Sequence, residues 1–140
     1  MNNETYRECY NICDKVVQLH SGRRIRLNDY PAAIVSCARS LADYTNARMA
    51  RSGKVDSRSY RQTPVLETAL NSLGRIGGKR SKCDNYIGGC AEPHAAREIE
   101  KEGSIKSVRD LVFSYAYRPR TKSVIRYCMN CIDIFNVKNP

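Results

Sequence analysis

The chain has 140 residues, 41% of them apolar, with 24 Lys and Arg against 14 Asp and Glu and a net charge of +10. That length suits one compact domain with a real core; the recurrence of Ile, Leu and Val excludes compositional disorder, and apolar runs of only a few residues exclude a membrane-spanning helix. A positive excess of this size draws polyanions, of which nucleic acid is the commonest, so single-stranded DNA or RNA is the expected partner.

Residues 1–14 are polar and carry acids, which does not read as a signal peptide. The expected location is the cytoplasm, or a target-cell cytoplasm reached through a specialised secretion machine that needs no such signal in this domain. Within 5–19, Tyr6, Cys9, Cys13, Val16 and Val17 fall at helical spacing and predict an amphipathic helix ended by Ser21-Gly22. A basic loop follows, and Asp29 is placed to cap a second helix over 31–43 with Ile34, Ala38 and Leu41 inward. Residues 1–43 therefore read as an N-terminal helical segment packed on a core of 44–140.

Alternation over 44–60, with Ser52-Gly53 as a tight turn, predicts a β-hairpin; a helix continuing to Arg51 is the rival reading. Thr63-Pro64 marks a helix start, Thr63 at the N-cap and Pro64 at the first helical position, running to Leu73 and closed by Gly74. A glycine-rich basic loop leads through Gly88-Gly89 to Cys90, and 92–102 is a helix ended by Gly103. Residues 108–117, centred on Leu111-Val112-Phe113, read as a strand buried on both faces and broken at Arg118-Pro119-Arg120. Residues 124–127 then carry the chain to Cys128-Met129-Asn130-Cys131 and an apolar segment ending at Phe135. The fold class is α/β, a sheet with helices on its faces, and Cys90 and Cys128 are expected at strand-to-helix junctions on one sheet edge.

Seven cysteines form no regular disulfide framework, which favours reduced thiols and metal ligation or catalysis where they cluster. Cys128 and Cys131, two residues apart, can grip one Zn²⁺ as adjacent thiolates, and Cys90 could supply a third. Three protein ligands leave a tetrahedral position open for water, the mark of a catalytic site, and zinc makes such water acidic near neutrality. Glu92, one step into its helix and two residues beyond Cys90, is placed to move protons as general acid and base without ligating the metal.

The pattern Cys90-Ala91-Glu92 followed by Cys128-x-x-Cys131 resembles the signature of the zinc-dependent nucleobase deaminase superfamily, in its cytidine deaminase version. The wider run Cys90-Ala91-Glu92-Pro93-His94-Ala95-Ala96 with Cys128-x-Asn130-Cys131 is most similar to the YwqJ-like deaminases of bacterial polymorphic toxins. Ser52-Gly53-Lys54 and Thr63-Pro64-Val65-Leu66 sit where that family has a Gly-Lys hairpin and a Pro-x-Leu helix. The resemblance covers about residues 45–135. It implies a deaminase-like sheet, hydrolytic release of ammonia from a base, cytosine in particular, and a toxin role that would bring an immunity protein as partner. Two departures stand out: Tyr127 replaces the proline expected before the first cysteine of the pair, and little chain follows Cys131, so the last strands of the family's sheet are expected to be missing.

Other residues have plainer readings beside functional ones. His94 lies four residues after Cys90 on one helical face, so Cys90, His94, Cys128 and Cys131 could instead form a closed structural site in a non-catalytic nucleic-acid-binding module. Cys83 is an alternative fourth thiolate. Cys9, Cys13 and Cys37 read as small buried apolar residues. Tyr115, Arg118 and Tyr127 are the expected substrate-binding residues, the tyrosines by stacking and Arg118, with Arg120, Lys122 and Arg126, by phosphate contact; Tyr86 and Tyr117 are further stacking candidates.

Overall fold

The computed structural model describes residues 32–139, and the expected helix over 5–19 lies outside them. Among the described residues five antiparallel strands form one sheet: β1 (Ile34–Ala38), β2 (Arg48–Arg51), β3 (Val112–Phe113), β4 (Ala116–Arg118) and β5 (Ser123–Ile125). Three helices accompany it among the described residues: α1 (Pro64–Asn71), α2 (Ala91–Glu102) and α3 (Met129–Phe135). The strand order is β2-β1-β4-β5, with β3 also paired to β1. The expected α/β class is thus observed.

Several local expectations are corrected. The segment expected as a helix over 31–43 holds β1 instead, followed by 3-10 turns at Leu41–Asn46. All five residues of β1 are buried, including Val35 and Cys37, which lie off the expected helical stripe. A run led by two β-branched residues and buried at every position suits a central strand better than a one-faced helix. The expected hairpin supplies only its first arm: β2 pairs with β1, not with residues 55–60. There the Asp56 carboxylate accepts from Arg58 N at 2.8 Å and Ser59 N bonds Asp56 O, so the backbone is satisfied in a local turn. Ser52 N reaches Ala33 O and Gly53 N reaches Gly89 O, which leads the chain beyond β2 toward Cys90.

The strand expected over 108–117 is a 3-10 turn at Val108–Asp110 followed by two short strands. Cys37 pairs with Phe113 and Ile34 with Tyr117, so two residues of β1 face three of the partner segment. That extra residue is a bulge. Ser114 holds it together: Ser36 N donates to Ser114 Oγ at 2.8 Å, and Ser114 N donates to Ser36 O.

The core lies between sheet and helices. Ala91, Ala95, Ala96 and Ile99 of α2 pack with Val35 and Cys37, small alanines letting the helix approach closely. Phe135 of α3 meets Phe113 at 4.7 Å between ring centroids. Helix α1 starts at Pro64 as expected, but Thr63 does not cap it; the Thr63 hydroxyl donates to Tyr60 O. The cap comes from across the core: the Glu100 carboxylate accepts from Val65 N at 3.0 Å and Leu66 N at 2.9 Å. At the same C-terminal end of α2 the Arg39 guanidinium donates to the carbonyls of Ile99, Gly103 and Ser104. No described helix is long and apolar enough to cross a membrane.

Candidate metal centre and its cavity

Cys90 and Cys128 occupy the N-cap positions of α2 and α3, each with extended backbone (ψ 163 in both). Neither thiol caps its own helix, so both sulfurs are available to one another. Cys90 reaches its place from the Gly88-Gly89 loop, not from the expected strand, whereas Cys128 follows closely on β5. Gly88 is required there: its φ is +88, and a Cβ would stand 2.9 Å from the Tyr60 ring, whose hydroxyl donates to Gly88 O. Cys131, one turn into α3, completes the group. The sulfurs of Cys90 and Cys128 are 3.1 Å apart, those of Cys128 and Cys131 3.6 Å apart, and all three lie within 4.8 Å of one another.

Hydrogen bonding with Cys131 and with Cys90 holds Cys128 well below the ordinary thiol value. The same bond to Cys128 pushes Cys90 up, and burial pushes Cys131 up. Two helix N-termini add favourable potential for thiolates. Cys90, Cys128 and Cys131 are thus arranged to hold a metal ion.

Glu92 sits beside this group at 4% exposure, its Oε2 accepting from Cys131 Sγ at 3.3 Å. Burial pushes its carboxyl up to about 7, against a weaker lowering by its own backbone N–H and the Cys131 thiol. The alternative fourth ligands lie elsewhere. His94 is buried, donates from Nε2 to Gly53 O at 3.4 Å and leans on Tyr60, and burial lowers its pKa. Cys83 N bonds Arg80 O in the basic loop, and Cys83 is not in the metal-holding group. Cys37 is the buried apolar thiol expected, now on a strand.

A cavity of about 250 Å³ opens beside the cluster. Cys90, Ala91, Glu92 and Cys128 line its inner part; Ala116, Arg118, Ile125 and Arg126 of the β4–β5 region form one side. Asp84, Asn85, Tyr86 and Gly89 form another, and Ala32, Ala33, Ser52 and Gly53 complete it. Arg118 is therefore placed at the site, its Nε also donating to Ala32 O. Tyr115 and Tyr127 are not: they line a separate hollow of about 370 Å³ with Leu41 and Phe135, 5.9 Å apart between ring centroids. The buried Tyr127 hydroxyl donates to Ser114 O.

Sequence reasoning passed over the support of this cavity. Asn130, inside the Cys128-x-Asn130-Cys131 pattern, is 2% exposed and accepts at Oδ1 from Arg80 Nε at 2.6 Å. Its Nδ2 donates to Asn85 O, and Arg80 also pairs with Asp133 at 2.5 Å. The basic loop is thereby tied to α3 beside the cluster. Only the asparagine between the cysteines signalled it. Fold and site together define a mixed α/β domain whose three-cysteine centre opens into a small cavity. Compared with protein-family models, curated proteins and solved structures, the chain matches none.

Proposed function

We propose that this protein is a zinc-dependent hydrolytic deaminase that converts cytosine to uracil in a nucleotide or nucleic acid, in the setting of a toxin. The observation that carries the reading is the buried Glu92 carboxyl at the inner end of a cavity, against three clustered thiols. The donor set fits zinc: three soft thiolates occupy three tetrahedral positions, and His94 is turned to Gly53 rather than to a fourth. When bound, zinc supplies Lewis acidity and with it a hydroxide nucleophile at neutral pH.

The chain's own residues do the rest. Glu92 takes a proton from the hydrolytic water and delivers it to ring N3 as oxygen adds at C4. It then carries a second proton, taken from the hydroxyl now on C4, to the exocyclic amine; the C4–N bond breaks, ammonia leaves and C4 keeps the oxygen as a carbonyl. A carboxyl that burial raises above its ordinary range suits both halves of this exchange. Arg118 at the cavity side offers a cation to a phosphate.

The test is incubation of zinc-loaded protein with single-stranded DNA, RNA and free nucleosides, reading ammonia and base identity together. Glu92→Gln should keep zinc and fold while losing on the order of 10²–10⁴-fold in turnover. His94→Ala should keep zinc. A zinc-stabilised module without catalysis predicts the reverse pair of results, and an active Glu92→Ala protein overturns the proposal.

A further inference from the structure

Tyr86 is the most exposed of the large apolar side chains among the described residues, at 56%, and it stands on the lining of the cavity that holds Glu92. Exposed aromatic rings on loose loops carry little meaning, but this loop is fastened. Gly89 N donates to Tyr86 O, Ile87 N to Gly78 O, and Asn130 Nδ2 to the carbonyl of the preceding residue, Asn85. Arg80, hydrogen-bonded to Asn130 and Asp133, anchors the same loop from its basic side. The ring itself is steadied by Lys79, whose ammonium lies 4.8 Å from its centroid. A ring presented to solvent on a rigid support, one cation already against it, is prepared to stack on a flat partner at little ordering cost.

We infer that Tyr86 and Lys79 form a second subsite, for the nucleotide next to the one whose base enters the cavity, so that the ligand is a single-stranded polynucleotide rather than a free base or nucleoside. The inference rests on the proposed deaminase reading for the base inside the cavity and on the observed geometry for its neighbour. The cavity, at about 250 Å³, holds one base-sized group, and Glu92 at its inner end is buried while Tyr86 at its mouth is not. A strand whose target base points inward must lay an adjacent base across that mouth. Tyr86 offers that base an aromatic face, Lys79 meets the phosphate beside it, and Arg118 and Arg126 meet the strand on the β4–β5 side. Asp84, on the same loop as Tyr86, also lines the cavity and disfavours a phosphate on that wall below the rim. Stacking accepts any base, which suits a single strand and not a duplex, whose bases are already stacked.

The experiment uses the zinc-loaded full chain carrying Glu92→Gln, so that binding is read without turnover. Short single-stranded DNA and RNA oligomers with one cytosine flanked by 2-aminopurine serve as probes, with cytidine and cytidine monophosphate as competitors. The expected result is quenching of the 2-aminopurine on binding, displaced by unlabelled oligomer far more readily than by cytidine monophosphate. Adding Tyr86→Ala should weaken oligomer binding by about 5- to 150-fold and abolish the quench with zinc content unchanged; Tyr86→Phe should restore both. DNA and RNA arms of equal strength assign the subsite to base and phosphate alone. Oligomer binding that is indifferent to Tyr86→Ala, or a mononucleotide that competes as well as the oligomer, overturns the inference. A quench without ammonia release from the protein bearing Glu92 leaves the subsite standing and removes the deaminase reading. Ammonia from cytidine with no oligomer binding does the opposite.

Discussion

At Glu92 two demands meet in one side chain. Burial keeps the carboxyl close to the balance between its protonated and ionised forms, pushed up to about 7, and the proposed proton exchange needs that balance. The same burial has a cost that can be measured apart from activity. In the metal-free protein the folded state holds the Glu92 proton at pH values where the unfolded chain has released it. The unfolded state then binds fewer protons, so this contribution to stability falls as pH rises from about 4.5 through about 7. Glu92→Gln removes the buried charge; its urea midpoint should match the parent at pH 4 and exceed it at pH 8, by on the order of 3 kcal/mol in unfolding free energy. A difference that stayed flat across that range would place the carboxyl in water. The placing of Cys90, Glu92, Cys128 and Cys131 was legible because their spacing is local, a cysteine and a carboxyl on one helix start and two cysteines on one turn. Tyr115 and Tyr127 were not. Nearness to the motif along the chain says nothing about which side of the sheet a ring takes, and the bulge around Ser114 interrupts the alternation that would have told.

Helix α2 connects the site to the rest of the fold, and its fastenings are tertiary. Its N-terminus carries Cys90 and Glu92, Glu100 near its end caps α1, and Arg39 closes its last carbonyls. Glu100→Ala should lower stability by about 2–4 kcal/mol, since two charge-assisted hydrogen bonds go and two backbone N–H groups lose their partner. Glu100→Gln should cost less because the amide keeps one acceptor, and Thr63→Ala about 1 kcal/mol for one neutral bond. Denaturant midpoints would order the three; a Thr63 variant worse than the Glu100→Ala variant would return the cap to Thr63. The helices over Pro64–Asn71 and Ala91–Glu102 were readable from periodicity and from Pro64 and Gly103 at their ends. The cap itself was not, because residue 100 is remote from 65 in the sequence and no local pattern pairs them. Strand β1 was misread for a related reason. Five residues buried throughout show no alternation, and Ile34 and Ala38 alone mimic a helical stripe.

Across the whole molecule, the metal and the surface charge should separate cleanly. The described core is continuous, running from Val35 through α2 to Phe135, so it does not depend on the cysteines alone. Chelation should therefore lower the unfolding midpoint without abolishing the cooperative transition, and elemental analysis should return one zinc per chain. The net charge of +10 is a looser quantity, because part of it is structural: Arg39 caps α2, Arg80 holds the basic loop to α3, and Arg48 pairs with Glu102. Polynucleotide binding should depend on the cations that remain at the cavity mouth, with Lys79, Arg118 and Arg126 the named candidates. Three phosphate contacts on a single strand release about two counterions, so affinity should fall roughly 20-fold between 50 and 200 mM salt. Arg126→Ala should reduce the slope of log affinity against log salt by about 0.7, whatever the base sequence. Arg80→Ala should act differently, displacing the loop that bears Tyr86 and so weakening affinity with a smaller change in slope, because Arg80 is spent on Asn130 and Asp133 rather than on the ligand. Salt titrations of these two variants with one fluorescent oligomer test the assignment: equal slopes for Arg126→Ala and the parent would move the phosphate path away from β5.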